Sequence, residues 1–306
     1  MFFHVKETAY HCKPEKPDPV YAKQLQELIG GQWGEISVML GYLFQAWNSR
    51  GPIKYRDMTL DIGTEEIGHV EMLATMVARL LESSPVEAQE HAAKDSIMGA
   101  MLGGAKLQDV IMAGMSPQHA IVSGGGAMPV DSQGNRWTAD YITASGNLLA
   151  DFRFNVTAES QGRLQAARLY NMTDDPGVKD MLSYLIARDT MHQNQWLAAI
   201  AELEAEGYDS TPCPQSFPLE LENRDFSYKF LRHSEGTDSA EGRWARGPSM
   251  DGKGEFEYVA TPPALGPAPE LAPTDPRLYG TQKMPTPPAA NTDGATGQFM
   301  IREGAE

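Results

Sequence analysis

Acidic residues and histidines recur in this chain with a spacing that suits metal chemistry. Two pairs of acidic residues stand 31 and 30 residues apart, and the second member of each pair is followed three residues later by a histidine. The first set is Glu35, Glu66 and His69, and the second is Glu159, Asp189 and His192. Each pair straddles a segment containing Pro and Gly, at 50–52 and 173–177, and such segments break helices. Residues equidistant from a turn between two antiparallel helices meet at one height, so the side chains should cluster roughly 22 Å up each hairpin.

Such a cluster would suit two divalent metal ions in a helical bundle. Two adjacent cations concentrate positive charge, which several ionised carboxylates in a dry interior can offset. A carboxylate and a histidine three positions apart project from one helix face, so one helix can supply both a bridging oxygen and a nitrogen. Bridging carboxylates with imidazoles favour manganese or iron over zinc. Ferritin-like dimetal bundles use a Glu from two helices and Glu-x-x-His from the other two, and Asp189 departs from this pattern.

Some assignments within the cluster have alternatives. Glu65 competes with Glu66 as a ligand, because Glu65 and His69 are also helical neighbours, but the matched spacing favours Glu66. Tyr42 lies on the same predicted face as Glu35, where it is either a core residue or a hydrogen-bond partner of a ligand. The other histidines fall outside the apolar helix faces and are expected to be solvated or structural. They are His4, His11, His91, His119 and His233.

Four stretches with apolar residues at helical spacing should position these side chains. They cover about residues 22–47, 55–81 and 145–170, and a fourth stretch that begins after Pro176 and includes Ala199. The sequence therefore predicts an all-α, ferritin-like four-helix bundle. A long crossover, about residues 83–144, would join helices 2 and 3, with a short amphipathic helix near 93–101.

The composition changes after about Gly207, where Pro, Gly, Asp and Thr dominate and periodicity is weak. Such a segment is not expected to form its own core. We therefore divide the chain into a bundle domain, residues 1–206, and an extended C-terminal tail, residues 207–306. The tail should be loosely ordered or should wrap a neighbouring subunit.

Charge and cysteine content exclude several classes of protein. The net charge of −16 argues against nucleic acid or an anionic membrane as a partner. Only Cys12 and Cys213 occur, without a CxxC motif, so neither a disulfide framework nor a thiolate zinc site is expected. The first residues lack an apolar signal core, and no apolar run is long enough to span a bilayer. We expect a soluble cytoplasmic protein.

Several motifs resemble those of the manganese catalases across about residues 20–205. The motifs are Gly30-Gly31-Gln32-Trp33-Gly34-Glu35, Ile62-Gly63-Thr64-Glu65-Glu66-Ile67-Gly68-His69, Ser145-Gly146-Asn147-Leu148 leading to Glu159, and His192. The resemblance implies a dimanganese centre, with two manganese ions per chain. The implied ligands are Glu35, Glu66, His69, Glu159 and His192. In that family the acidic residue before the last histidine is not a ligand, which makes Asp189 a neighbour of the ligand set.

The implied reaction is the disproportionation of hydrogen peroxide to dioxygen and water, in which Glu35 or Asp189 could assist proton transfer. Family members form homo-hexamers whose C-terminal segments embrace neighbouring subunits. Asp57 and Asp61 resemble a calcium site of some members, although an acidic pair one turn apart is usually a solvated face. Some members also place an arginine before the third glutamate, where this chain has Ala158.

Two alternatives from other classes remain. The first is a ferritin-like diiron oxidase or iron-handling protein, which would consume dioxygen and would usually carry a second Glu-x-x-His. Asp189 counts against it. The second is a structural, coat-type relative of low activity, against which the complete set of ligands argues.

Overall fold

The computed structural model of the chain describes residues 3–83 and 116–273, together with Asp275 and Arg277. These residues are mainly helical. The helices are α1 Pro19–Leu25, α2 Glu27–Gly30, α3 Glu35–Asn48, α4 Ile53–Leu80, α5 Pro117–Ile121, α6 Leu148–Tyr170, α7 Pro176–Ala205 and α8 Arg224–Ser227. The strands are β1 Lys229–Leu231, β2 Arg246–Pro248 and β3 Glu255–Val259. None of the described helices is both long enough and apolar enough to cross a membrane.

Two helical hairpins make up the main body, and both of their turns lie at the predicted positions. Helix α3 packs along α4, and α6 packs along α7. Proline and a side-chain cap define the start of α7, since Pro176 occupies its first turn and the Asp175 carboxylate accepts from the Gly177 and Val178 amides. Asn147 caps α6 in the same way. These caps satisfy amide groups that a helix leaves free at its N-terminus.

The first predicted helix, residues 22–47, is wrong as a single element, because the chain breaks it twice before Glu35. Helices α1 and α2 end at Leu25 and Gly30, and Gly31 and Gly34 then adopt extended backbone angles. Glycine favours such breaks, since it loses more conformational entropy than other residues in a helix. Glu35 therefore opens α3, where the positive end of the helix dipole favours a carboxylate.

The described part of the crossover is held against this break. The buried Gln26 side chain donates to the carbonyls of Met128 and Val130 and accepts from the Met128 amide, at 2.6, 3.0 and 3.0 Å. A Cβ on Gly30 would lie 2.5 Å from the Val130 backbone, so only glycine permits this close approach. The short helix predicted at 93–101 lies outside the described residues, as does most of the predicted first half of the crossover.

Apolar side chains form two clusters at different heights along the hairpins. In α4, Ile62 belongs to one cluster and Met72 to the other. In α7 the order is reversed, with Leu185 in the cluster of Met72 and Trp196 in the cluster of Ile62. The reversal follows from the antiparallel course of the helices. The stretch between the clusters is where Glu66, His69, Asp189 and His192 lie.

The C-terminal region contains a small sheet that the sequence did not predict. Its strand order is β1-β3-β2, with β1 parallel and β2 antiparallel to β3. Strands of three to five residues are too short to produce a recognisable alternation of apolar and polar residues. Helix α7 ends at Ala205, and Gly207 follows with a φ of +91°. Arg153 of α6 donates to the Ser210 carbonyl and so ties the start of this region to the bundle.

The apolar cluster of Leu182 should dominate stability. Leu182 of α7 is fully buried, whereas Leu197 of the same helix is 48% exposed. Leu182→Ala should lower the free energy of unfolding by about 2–5 kcal/mol, because it removes buried methyl groups and leaves a cavity. Leu197→Ala should change it by less than about 0.5 kcal/mol. Urea unfolding followed by circular dichroism measures both, and equal losses would contradict the placement of the core.

Candidate metal centre

Four helices bring the five predicted ligands together between the two apolar clusters. Glu35 comes from the first turn of α3, and the other three helices contribute from their central turns. The residues are Glu35 of α3, Glu66 and His69 of α4, Glu159 of α6 and His192 of α7. Both histidines are fully buried, and the glutamates are buried or nearly so. Residues that are distant in sequence thus form one enclosed polar cluster.

The five residues form two overlapping groups that share Glu66. One group is Glu35, Glu66 and His69, and the other is Glu66, Glu159 and His192, with ligand atoms within 4.8 Å of one another in each. Glu66 Oε2 lies 2.5 Å from His69 Nδ1, and Glu66 Oε1 lies 2.7 Å from His192 Nδ1. Each group therefore offers two carboxylates and one imidazole, and the shared carboxylate presents one oxygen to each.

The ring nitrogens of the two histidines fit a metal better than a hydrogen-bond network. All four are buried, and none has a correctly directed hydrogen bond with another described residue, although carboxylate oxygens lie close by. Glu66 Oε2 is in the same condition. Buried polar atoms without partners are costly, and divalent cations bound on the side of Glu66 would satisfy both Nδ1 atoms and Glu66 Oε2. The donor set contains no sulfur, which suits manganese or iron.

Charges within the cluster oppose one another. Burial raises the pKa of Glu35 and of Glu159 well above the usual value, and the neighbouring Glu66 carboxyl raises both further. Burial also opposes ionisation of Glu66, but His69 and His192 outweigh it and lower the pKa of Glu66 to about 2. The two protonated histidines can thus keep Glu66 ionised. Ionisation of Glu35 and Glu159 requires additional positive charge.

Two predicted neighbours of the ligand set lie inside the bundle. The Tyr42 hydroxyl, which is fully buried, donates a 2.6 Å hydrogen bond to Glu159 Oε1. Tyr42 is therefore both a core residue and a partner of a candidate ligand. Asp189 is also buried but belongs to neither ligand group. Burial raises the pKa of Asp189 to about 7, with a further contribution from Glu66.

Glu65 and Arg188 contact the cluster and were missed as a pair. Glu65 Oε1 lies 3.5 Å from His69 Nε2, and Glu65 Oε2 lies 3.2 Å from His192 Nε2. Arg188 donates to both oxygens of Glu65, at 2.5 and 3.1 Å. These contacts hold the pKa of Glu65 well below its usual range. The available signal was that Glu65 and Arg188 each stand four residues before one of the candidate histidines.

Other predicted residues lie apart from the centre. Asp57 and Asp61 are exposed on α4, and among the described residues neither belongs to a group of three metal-binding side chains. The calcium site therefore stays a prediction. Two of the outer histidines contact polar partners elsewhere, since His4 lies 2.9 Å from Glu71 and His119 lies 3.1 Å from the Gln26 carboxamide oxygen. His91 lies outside the described residues.

Comparison with known proteins points to one family. A family model described as manganese containing catalase matches residues 1–298. The uncharacterized protein YjqC of Bacillus subtilis (strain 168) is 57% identical over 281 residues, 92% of this chain and 98% of that protein. A manganese catalase of Bacillus subtilis is 55% identical, also over 92% of this chain and 98% of its own. The crystal structure of KatB, a manganese catalase from Anabaena PCC7120, matches with a TM-score of 0.62 and 26% identity, covering 86% of this chain and 100% of that chain.

The metal-free protein should lose stability as the pH rises. Contacts with Glu65 and Glu66 outweigh burial and raise the pKa of His192 from 6.5 to about 10. A raised pKa means that protonated His192 stabilises the fold fully below about pH 6.5, and that this stabilisation is lost as the pH rises towards 10. Asp189, with its pKa raised from 3.8 to about 7, acts in the same direction between those values.

Thermal melts of the metal-free protein between pH 6 and 10 test this dependence. The melting temperature should fall with pH, and the fall should be shallower in His192→Gln, which cannot carry the charge. A melting temperature that stays constant or rises over this range would contradict the assignment of charge to the cluster.

Proposed function

The chain belongs to the manganese catalase family, as its motifs predicted, and we propose that the buried cluster of glutamates and histidines is its dimanganese centre. The protein is an enzyme of this type, and its substrate is hydrogen peroxide, which it converts to dioxygen and water. In our proposal Glu35 and His69 would hold one manganese ion, Glu159 and His192 would hold the second, and both ions would share the Glu66 carboxylate. The two hairpins would form the ferritin-like four-helix bundle expected from the sequence.

One observation carries this assignment. The two groups of possible ligands have the same composition and share a single carboxylate. A structural network of ion pairs does not require two groups of identical composition, whereas a site for two metal ions of the same kind would require them. The two oxygens of the shared Glu66 carboxylate lie at similar distances, 2.5 and 2.7 Å, from the Nδ1 atoms of His69 and His192.

The residues of the chain would orient the ligands and exclude water. Two bound manganese ions would supply a reversible two-electron change and would polarise the oxygens of peroxide. The Tyr42 hydroxyl fixes the carboxylate of Glu159 through its hydrogen bond. The apolar side chains on both sides keep the carboxylates in a medium of low dielectric constant, where their attraction for cations is strong.

Proton transfer requires a group beside the metals that can hold a proton, and we propose Asp189, with Glu35 as the other candidate. Asp189 lies one helical turn before His192, is buried and carries no metal in our assignment. In the metal-free protein burial raises the pKa of Asp189 to about 7, so this carboxyl can hold a proton inside the cluster. Peroxide has two protons to be moved during its reaction, and Asp189 would receive and return one.

Assembly and location are further proposals. We infer that the chain forms a homo-hexamer in the cytoplasm, with no nucleic acid or membrane partner, and that residues 207–306 form a tail that contacts neighbouring subunits. The net charge of −16 supports the absence of anionic partners. Calcium at Asp57 and Asp61 is proposed on the resemblance alone.

Metal analysis with an oxygen electrode tests the assignment. Protein produced with manganese should contain about two manganese ions per chain and should release dioxygen when peroxide is added. Glu66→Ala and His192→Ala should lose both properties, because each removes a ligand from the dry interior. His233→Ala, at an exposed position, is the control and should keep both.

Other outcomes would change the conclusion. Retained metal and turnover in both site variants would refute the ligand assignment. Bound iron with uptake of dioxygen would favour a diiron oxidase or iron-handling protein. Bound metal with neither reaction would favour a structural, coat-type role.

The role of Asp189 can be separated from metal binding. Asp189→Asn keeps the shape of the side chain but removes the titrating group, so manganese content should stay unchanged while kcat falls by roughly 10²–10⁴-fold. Asp180→Asn, an exposed acid on the same helix, should leave both unchanged. If Asp189→Asn lost manganese in proportion to activity, Asp189 would support the ligands and would not transfer protons.

A further inference from the structure

We propose that Glu65 and Arg188 form a positioning pair that holds both candidate histidine ligands in register across the two hairpins. Neither residue belongs to the ligand groups. The inference rests on the proposed function, since it assumes that His69 and His192 bind manganese through Nδ1. Its claim is that a single carboxylate, fixed by one guanidinium, orients the imidazoles of both metal sites.

The geometry is a symmetric clamp on the two rings. Glu66 approaches both histidines on their Nδ1 side, and Glu65, its neighbour in sequence, approaches both on their Nε2 side. Each carboxylate places one oxygen near each ring. The two rings lie 5.7 Å apart with an angle of 26° between their planes. Two adjacent residues of α4 therefore contact both ring nitrogens of two histidines that come from different helices.

A carboxylate suits the Nε2 side for a simple reason of hydrogen bonding. A histidine that binds metal through Nδ1 carries its remaining hydrogen on Nε2, which must donate to an acceptor. Two such histidines need two acceptors, and the Glu65 carboxylate has two oxygens. The distances of 3.5 and 3.2 Å are long, but hydrogen bonds of site groups often tighten only when the site is filled.

Arg188 supplies the rigidity that this clamp requires. Its guanidinium donates through two different nitrogens to the two oxygens of Glu65, which fixes the plane of the carboxylate as well as its position. Arg188 stands one helical turn before His192 on α7, so the pair also joins α7 to α4. Glu65 and Arg188 are each about one-third exposed, which places them at the rim of the cluster.

A matched ion pair elsewhere provides the control. Arg153 of α6 lies 2.7 Å from Glu204 of α7, and the two side chains have similar exposure, 38% and 39%. This pair joins two helices of the bundle but contacts no candidate ligand. If Glu65 and Arg188 only joined helices, removing either pair should have the same effect.

The first variant is Glu65→Gln, compared with Glu204→Gln and with the unchanged protein. An amide has one acceptor oxygen, so it can serve only one of the two histidines and presents an NH₂ group to the other. In a competition with a chelator, one manganese ion per chain should be released at a concentration about 10–100-fold lower than in the unchanged protein. The electron paramagnetic resonance signal of the coupled manganese pair should weaken as a signal of isolated ions grows.

The second variant is Arg188→Lys, which keeps the charge but loses the fork of donors. It should lower the chelator concentration that releases one or both manganese ions, by a smaller factor than Glu65→Gln does. The helical circular dichroism of the metal-free protein should not change. Glu204→Gln should retain both metal ions and the coupled signal.

The outcomes separate this proposal from the proposed function. Manganese affinity and spectra in both variants equal to those of the unchanged protein would overturn the positioning pair and leave the dimanganese centre standing. Absence of bound manganese in the unchanged protein would refute the proposed function itself. If Glu65→Gln did not fold, Arg188→Lys would decide the question, and failure of both to fold would overturn the proposal in favour of a structural ion pair.

Discussion

The cost of burying several carboxyl groups away from water governs this structure. Glu35, Glu66, Glu159 and Asp189 share one enclosed space with two histidines. The two imidazoles are enough to keep Glu66 ionised, but the pKa values of the other three carboxyls are raised. These three carboxyls can all ionise only if further positive charge enters the cluster. The proposed metal centre would supply that charge, and the apolar layers of the fold enclose the cluster.

The two apolar clusters and the hairpin turns together enclose the polar cluster. Because α4 and α7 run in opposite directions, their polar positions meet at one height between two apolar layers. The layers exclude water from above and below. The break before Glu35 places this carboxylate at the N-terminus of α3, so that α3 contributes a fourth helix to the cluster. Gln26 holds the crossover against the same break.

The resemblance to the family implies the candidate ligand set, and the structure shows what surrounds it. Ala158 stands where some members carry an arginine, and here it is part of an apolar cluster. It therefore supplies no hydrogen bond beside Glu159, which receives one from Tyr42 instead. The only guanidinium among the described residues that donates to a carboxylate touching the candidate ligands is that of Arg188, which reaches them through Glu65. The candidate ligands are thus supported by Tyr42 of α3 and by Glu65 and Arg188 on the two helices that carry the histidines.

Periodic apolar positions, helix-breaking turns and matched spacing are local signals along the chain. The helical hairpins, the five residues that meet and the family could therefore be predicted from the sequence. Two other features were visible only in the folded chain, namely the sheet of β1, β2 and β3 and the clamp of Glu65 and Arg188, whereas the break between Ala22 and Trp47 combines local glycines with contacts to the crossover. Each depends on contacts between residues far apart in sequence. Glu65 shows the reason most clearly, since its distance from His69 follows from one helix, but its contacts with His192 and Arg188 arise only when α7 packs against α4.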